Sequence, residues 1–231
     1  MNIVLTGASR GMGFHVLKQF LEGASHQVVA LSKDIDRFDN FDEALRQHPR
    51  LRFAEFDVVS YPEEQLAALT DHMEQVDILL NNAGMLVNKD FEQISLEEWR
   101  AILDVNLIGP VRLIRSLLPK LRRSPSPHIV NIGSMGGFPG SIKFRGLSSY
   151  SVSKAALANL TECLAVELDQ PRIAANCLCL GAVDTEMFRE AFPQYTAPLQ
   201  SHEMASFIHD FALTGHRFFN GKVLPVSTTT P

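Results

Sequence analysis

The chain has no apolar run approaching the roughly 18 residues that a membrane-spanning helix requires. Nor does it have the basic-then-apolar opening of a secretory leader, since Met1 is followed at once by the strand-like Asn2–Leu5. There is no CxxC pair. The three cysteines, Cys163, Cys177 and Cys179, are an odd number, and the last two fall on one face of a strand pattern, as buried free thiols do. Positive charge is not in excess: a formal charge of −5 excludes a broad basic surface. No internal repeat, linker or low-complexity segment occurs, apart from a short Ser/Thr tail at Ser227 to Pro231. These absences set the expectation of a soluble cytoplasmic protein in a reducing compartment, with neither nucleic acid nor membrane as partner. At 231 residues and 45% apolar content, the chain fits one α/β domain, residues 1–231, better than two small ones.

What is present is alternation. Asn2–Leu5, Gln27–Leu31, Leu51–Phe56, Val76–Leu80, His128–Gly133, Arg172–Leu180 and Lys222–Val226 read as seven strands separated by helical patterns. That order predicts a parallel sheet covered by helices on both faces. The segment Ser95 to Arg122 opens with a capping box, Ser95 with Glu98, and is interrupted around Asn106, Gly109 and Pro110. A proline inside a helix removes a hydrogen bond, so Asn106 is expected where the helix is locally open and its amide can hold water.

Several stretches carry chemistry. Thr6 to Gly13, TGASRGMG, lies between a strand and an amphipathic helix. Gly7 and Gly11 permit a tight turn, Gly13 lets the helix lie close to the strand, and the helix start then faces a pyrophosphate; the plainer alternative is a tight loop. After the second strand, where an acidic residue would take the ribose diol of NAD, stand Ser32 and Lys33, with Arg10 within reach and Asp34 next in line. Two cations and a hydroxyl suit a 2′-phosphate better than a diol, which favours NADP(H) over NAD(H), unless Lys33 is simply a solvated loop lysine. Asp57, at the end of the third strand, either accepts from an adenine amine or caps the helix near Pro62. Asn81 to Gly84, NNAG, lets backbone approach a ligand closely. Ser134, ending the fifth strand, can donate to a carbonyl oxygen or serve only in a turn. Tyr150 and Lys154, four apart on a helix, share a face, so an ammonium there would lower the phenol pKa toward neutral.

Taken together, TGASRGMG, Asp57, NNAG, Asn106, Ser134, Tyr150 with Lys154, and Thr185 after the sixth strand resemble the short-chain dehydrogenase/reductase family, ordinary short type, over nearly the whole chain. The resemblance implies a doubly wound Rossmann three-layer α/β sandwich with a seven-stranded, mostly parallel sheet. It implies a carbonyl–alcohol oxidoreductase using NADP(H) or NAD(H). Ser134 would orient the substrate oxygen, Tyr150 act as acid or base, Lys154 hold the ribose and lower the Tyr150 pKa, and Asn106 anchor a relay water. The dinucleotide would lie against Gly7, Ser9, Arg10, Gly11, Met12 and Gly13, then Ser32, Lys33, Asp57 and Val58. Asn82, Ala83, Gly84, Val183 and Thr185, together with Tyr150 and Lys154, would complete its site.

The chain also departs from the pattern. Leu180 stands where the family has proline, Gly140 to Gly146 adds residues between Ser134 and Tyr150, and Ser227-Thr228-Thr229 replaces an acidic-Gly ending. The substrate segment, about 184–200, is short, leaving the site open to solvent or closed by a partner subunit. Met85, Leu86, Met135, Phe138, Phe144, Phe188, Phe192 and Tyr195 are either an apolar substrate pocket or core. A small-molecule carbonyl or alcohol is the expected substrate. A homodimer or homotetramer through the Ser95–Arg122 and Ser149–Leu168 helices is the expected assembly. The alternative function is a dinucleotide-sensing or scaffold protein without turnover.

Overall fold

The computed structural model describes residues 1–22, 25–34 and 41–228. Seven parallel strands form one sheet: β1 (Asn2–Thr6), β2 (Gln27–Ser32), β3 (Leu51–Glu55), β4 (Ile78–Asn81), β5 (His128–Ser134), β6 (Ala174–Leu180) and β9 (Lys222–Val226), in the order β3-β2-β1-β4-β5-β6-β9. A separate parallel pair, β7 (Val183–Asp184) with β8 (Leu199–Gln200), lies beyond it. The helices are α1 (Gly11–Glu22), α2 (Glu43–Arg46), α3 (Glu63–Leu69), α4 (Leu96–Leu103), α5 (Gly109–Leu121), α6 (Ser148–Glu167), α7 (Glu186–Ala191) and α8 (Ser201–Thr214). This is the doubly wound Rossmann arrangement. The order reverses between β1 and β4, and ligands of such sheets bind in the crevice at the strand carboxyl ends there.

Alternation along each strand builds two cores. Ile3 and Leu5 face one side, against Val16, Leu17 and Phe20 of α1 and Met204 and Ile208 of α8. Val4 faces the other, with Leu113, Ile114 and Leu117 of α5. Each such side chain contributes about 1.5–3 kcal/mol by leaving water. His128 begins β5 fully buried, its Nδ1 2.9 Å from the Ala212 carbonyl oxygen and its Nε2 3.0 Å from Asn176 Nδ2, tying α8 to the sheet. Burial draws its pKa down to about 4, so the ring stays neutral.

The seven strands fall on the expected segments with shifted ends. Val76 and Asp77 precede β4, with the Asp77 amide already donating to the Asn2 carbonyl. Arg172 lies in an isolated bridge with Asp169, so β6 starts at Ala174 rather than Arg172. Beyond β6 the chain forms a further short strand, because Val183 and Asp184 pair with Leu199 and Gln200 across a loop that contains α7. Thr229 to Pro231, the end of the Ser/Thr tail, lie outside the described residues. Among the described residues no helix is long and apolar enough to cross a membrane.

Candidate functional site

Thr6 ends β1 and the chain turns at Gly7 (φ 68°) and Gly11 (φ 54°), a left-handed backbone that favours glycine. A Cβ on Gly7 would lie 2.8 Å from Asn82 Nδ2, and one on Gly13 would collide with the Gly7 carbonyl oxygen. The loop therefore folds against itself and against NNAG, and α1 begins at Gly11 directly over the strand ends. Thr6, not singled out from the sequence, is the rivet: its Oγ1 accepts from the Asn82 and Ala83 amides at 3.1 and 3.0 Å. Asn82 Nδ2 donates to the Thr6 and Gly7 carbonyls, both at 3.0 Å. Only the threonine's place inside the TGASRGMG motif could have flagged it.

From this loop a cleft of about 1010 Å³ runs across the strand ends. Gly7, Ser9, Arg10, Gly11, Met12 and Gly13 line it, as do Ser32, Lys33, Asp57, Val58, Asn82, Ala83 and Gly84. Ser134, Tyr150, Lys154, Val183 and Thr185 line it too, so nearly every residue singled out from the sequence borders one cavity. A side-chain-free cradle of glycines beneath a helix start, leading to a buried ammonium, fits a dinucleotide: backbone N–H groups for a pyrophosphate and a cation for a ribose.

The charges at the ribose end are arranged differently from the sequence expectation. Lys33 Nζ sits 2.9 Å from Asp57 Oδ2, and Asp57 Oδ1 accepts from the Val59 amide at 2.9 Å. Burial pushes the Asp57 carboxyl up, but the Lys33 and Val59 hydrogen bonds outweigh it and its pKa falls; Lys33 rises through its hydrogen bond to Asp57. Arg10, expected to be available for a phosphate, instead pairs with Glu186 at 3.0 Å and reaches Glu190 at 4.0 Å. The Ser32 and Ser9 hydroxyls meet at 2.7 Å. Both cations are thus already partnered by carboxylates that the fold, not the local sequence, brings to them.

At the other end, α6 starts at Ser148, so Tyr150 and Lys154 do share a helical face. Lys154 is buried and donates to the Ile132 carbonyl at 2.8 Å, its Nζ 5.9 Å from the Tyr150 ring centre. Ser134, two residues on from Ile132, hydrogen-bonds the phenol. The expected depression of the Tyr150 pKa by Lys154 is not what the structure holds. Burial pushes the phenol above its ordinary value, only partly offset by Ser134, and burial likewise draws Lys154 down to about 8. Cys177 and Cys179 lie beside the ammonium as buried free thiols on one strand face.

The helix break at Asn106 is a π turn over Asp104–Ile108. Its amide does not stand open for water, however. Nδ2 donates to the Met85 carbonyl and to Ser153 Oγ, both at 2.9 Å, while Oδ1 accepts from the Met85 amide at 2.8 Å. Ser153 in turn donates to the Tyr150 carbonyl at 2.7 Å, so Asn106 braces the turn that presents the phenol. Ser153 was not anticipated; its place between Tyr150 and Lys154 was the available signal.

Of the expected apolar pocket, Met85, Leu86, Met135, Phe144, Phe188, Phe192 and Tyr195 line the cleft. Phe138 does not. It packs against Met135, Ala158, Cys177 and Cys179 beneath the site, because the turn after Ser134 directs it into the small core there. Phe188, Phe192 and Tyr195 form a ladder, with ring centres 5.3 and 6.2 Å apart, at a mouth where Tyr195 is 64% exposed. The 140–146 segment borders the same mouth, held by Arg145 in a two-pronged contact with Asp90, both bonds at 2.6 Å.

Comparison with known proteins supplies the context for this geometry. A family model described as short chain dehydrogenase matches residues 1–196. An uncharacterized oxidoreductase of Staphylococcus epidermidis is 30% identical over 185 residues, covering 80% of this chain and 78% of its own. Retinol dehydrogenase 8 of Homo sapiens is 34% identical over 190 residues, covering 80% of this chain and 59% of its own. The structure of a 4-hydroxyisoleucine dehydrogenase complexed with NADH superposes with a TM-score of 0.85 at 24% identity, over 98% of this chain and 96% of that one, a likeness of fold.

Proposed function

The chain belongs to the short-chain dehydrogenase family, whose members are oxidoreductases acting on CH–OH or C=O groups, and from that premise we propose that it interconverts an apolar ketone or aldehyde and the corresponding alcohol by hydride transfer, with NADP(H) favoured over NAD(H). One observation carries the reading: Ser134, Tyr150 and the buried Lys154 converge at one end of a cleft whose other end is a glycine cradle. A bound nicotinamide supplies the hydride. The chain's own task is to hold the carbonyl and place a proton. Ser134 and Tyr150 supply two hydrogen bonds to the substrate oxygen, where charge develops. A phenol held above its ordinary pKa is fully protonated near neutral pH, the state from which it can donate. Lys154 is the cation for the nicotinamide ribose.

The NADP(H) preference rests on magnitudes. The Arg10 and Lys33 ion pairs are part-exposed, with Lys33 73% exposed, and such pairs are worth about 0–1 kcal/mol. Pairs that weak leave both cations open to an anion of higher charge such as a 2′-phosphate, and Ser32 stands where a diol-binding carboxylate would. The apolar substrate follows from the methionines and aromatics at the mouth, and the similarity to a retinol dehydrogenase agrees with it.

The test is NADPH oxidation by the purified chain over a panel of apolar carbonyls, alongside Tyr150→Phe. Turnover is expected to fall about 10²–10⁴-fold in the variant, with NADPH affinity changed little. No turnover above the variant on any carbonyl overturns the enzyme reading, and tight NADPH binding without it points to a sensor.

A further inference from the structure

Helix α7 covers the mouth of the cleft, yet it contributes no buried residue to either core. Polar contacts hold it instead. Thr185 caps it by accepting from the Phe188 amide at 3.1 Å, Asn88 donates to the Ala191 carbonyl at 2.7 Å, and Arg189 pairs with Asp184 at 2.7 Å. A further tie is Arg10, through Glu186 and Glu190. Arg10 is also one residue from Ser9, whose hydroxyl touches Ser32 at the end of β2. Its backbone is therefore anchored at the ribose end of the cleft, while its guanidinium is turned toward the substrate end. A side chain of that length reaches either way.

We propose that Glu186 and Glu190 set the cofactor selectivity of this chain by holding Arg10 on α7, so that binding a 2′-phosphate releases α7 and binding a plain ribose diol does not. This rests on the dinucleotide reading given above. A 2′-phosphate and the two carboxylates compete for one guanidinium. NADP(H) therefore has to draw Arg10 off α7, which loosens the helix that carries Phe188 and leads into Phe192, whereas NAD(H) leaves the clasp closed. Cofactor choice and access to the apolar mouth are thereby coupled, and the carboxylates lower the NADP(H) preference that Arg10, Lys33 and Ser32 would otherwise give.

The experiment is a fluorescence titration of the full chain with NADPH and with NADH, in the parent and in Glu186→Gln/Glu190→Gln, each with and without Arg10→Met. Neutralising the carboxylates is expected to tighten NADPH roughly two- to tenfold while NADH moves less than about twofold. In the Arg10→Met background the same neutralisation is expected to have no selective effect, which completes a double-mutant cycle. Hydrogen exchange supplies an independent readout: amides of 186–191 should exchange faster with NADPH bound than with NADH, and equally fast in the double glutamine variant. Equal tightening of both cofactors would mean that only the general field of two carboxylates was removed, and overturns the proposal. So does an unchanged NADPH affinity, or a selective gain that persists without Arg10. If the parent binds neither cofactor, the dinucleotide reading itself falls, a result distinct from any of these.

Discussion

Lys154 shows how much a single residue's surroundings decide. Its ammonium has no carboxylate among its principal charge neighbours; it has the Ile132 carbonyl, two thiols and a low-dielectric pocket. Burial disfavours the charged form and brings the pKa to about 8. Below that value the group is an ammonium able to donate to a ribose; above it, an amine. NADPH affinity is therefore expected to weaken as pH rises through about 8. Stability moves the other way. The folded-state pKa lies below the unfolded value near 10.4, so the contribution of this group to stability grows as pH rises from about 8 toward 10.4 and is lost as pH falls through 8. Titrations of NADPH binding and thermal unfolding over that range should diverge. A flat binding profile, or binding and Tm falling together, would show that the ammonium is not the titrating contact.

At the scale of elements, the glycine turn and α1 act as one piece with the NNAG segment. The close approach of Gly13 to the Gly7 carbonyl is what allows α1 to begin over the carboxyl ends of the strands. Gly13→Ala places a methyl group where the carbonyl oxygen already is, and such overpacking typically costs about 1–3 kcal/mol. Dinucleotide affinity is expected to drop more than about tenfold with a modest fall in Tm. Gly140→Ala is the contrast, since its glycine serves a positive φ of 78° with open space around it. It should cost stability and leave affinity intact. Parent-like NADPH binding by Gly13→Ala would remove the cradle from the account.

On the scale of the whole molecule, the helices facing away from the sheet leave apolar side chains in water. Leu96 on α4 is 68% exposed, and Val152 and Val166 on α6 are 50% and 79% exposed. Singly these are ordinary; they lie on the helices expected to associate, and self-association through those helices would bury them. Sedimentation velocity of the purified chain is expected to give at least a dimer, and Leu96→Glu with Val152→Glu to shift it toward the single-chain mass. A parent chain that sediments as a monomer at micromolar concentration defeats this.

Features that depend on neighbours along the chain were legible in the residues alone: the seven strands from their apolar runs, the glycine turn from a spacing only glycine tolerates, and the shared face of Tyr150 and Lys154 from helical periodicity. What the sequence could not hold were contacts between distant segments and the exclusion of water. Glu186 reaches Arg10 across 176 positions, Asp57 meets Lys33 across a strand end, and Phe138 turns into a small core instead of the cleft. The pKa shift expected at Tyr150 reversed in sign because burial, a property of the packed molecule, is the largest influence on the phenol. Periodicity is local and survives in a string of letters; desolvation and long-range pairing exist only once the chain has closed on itself.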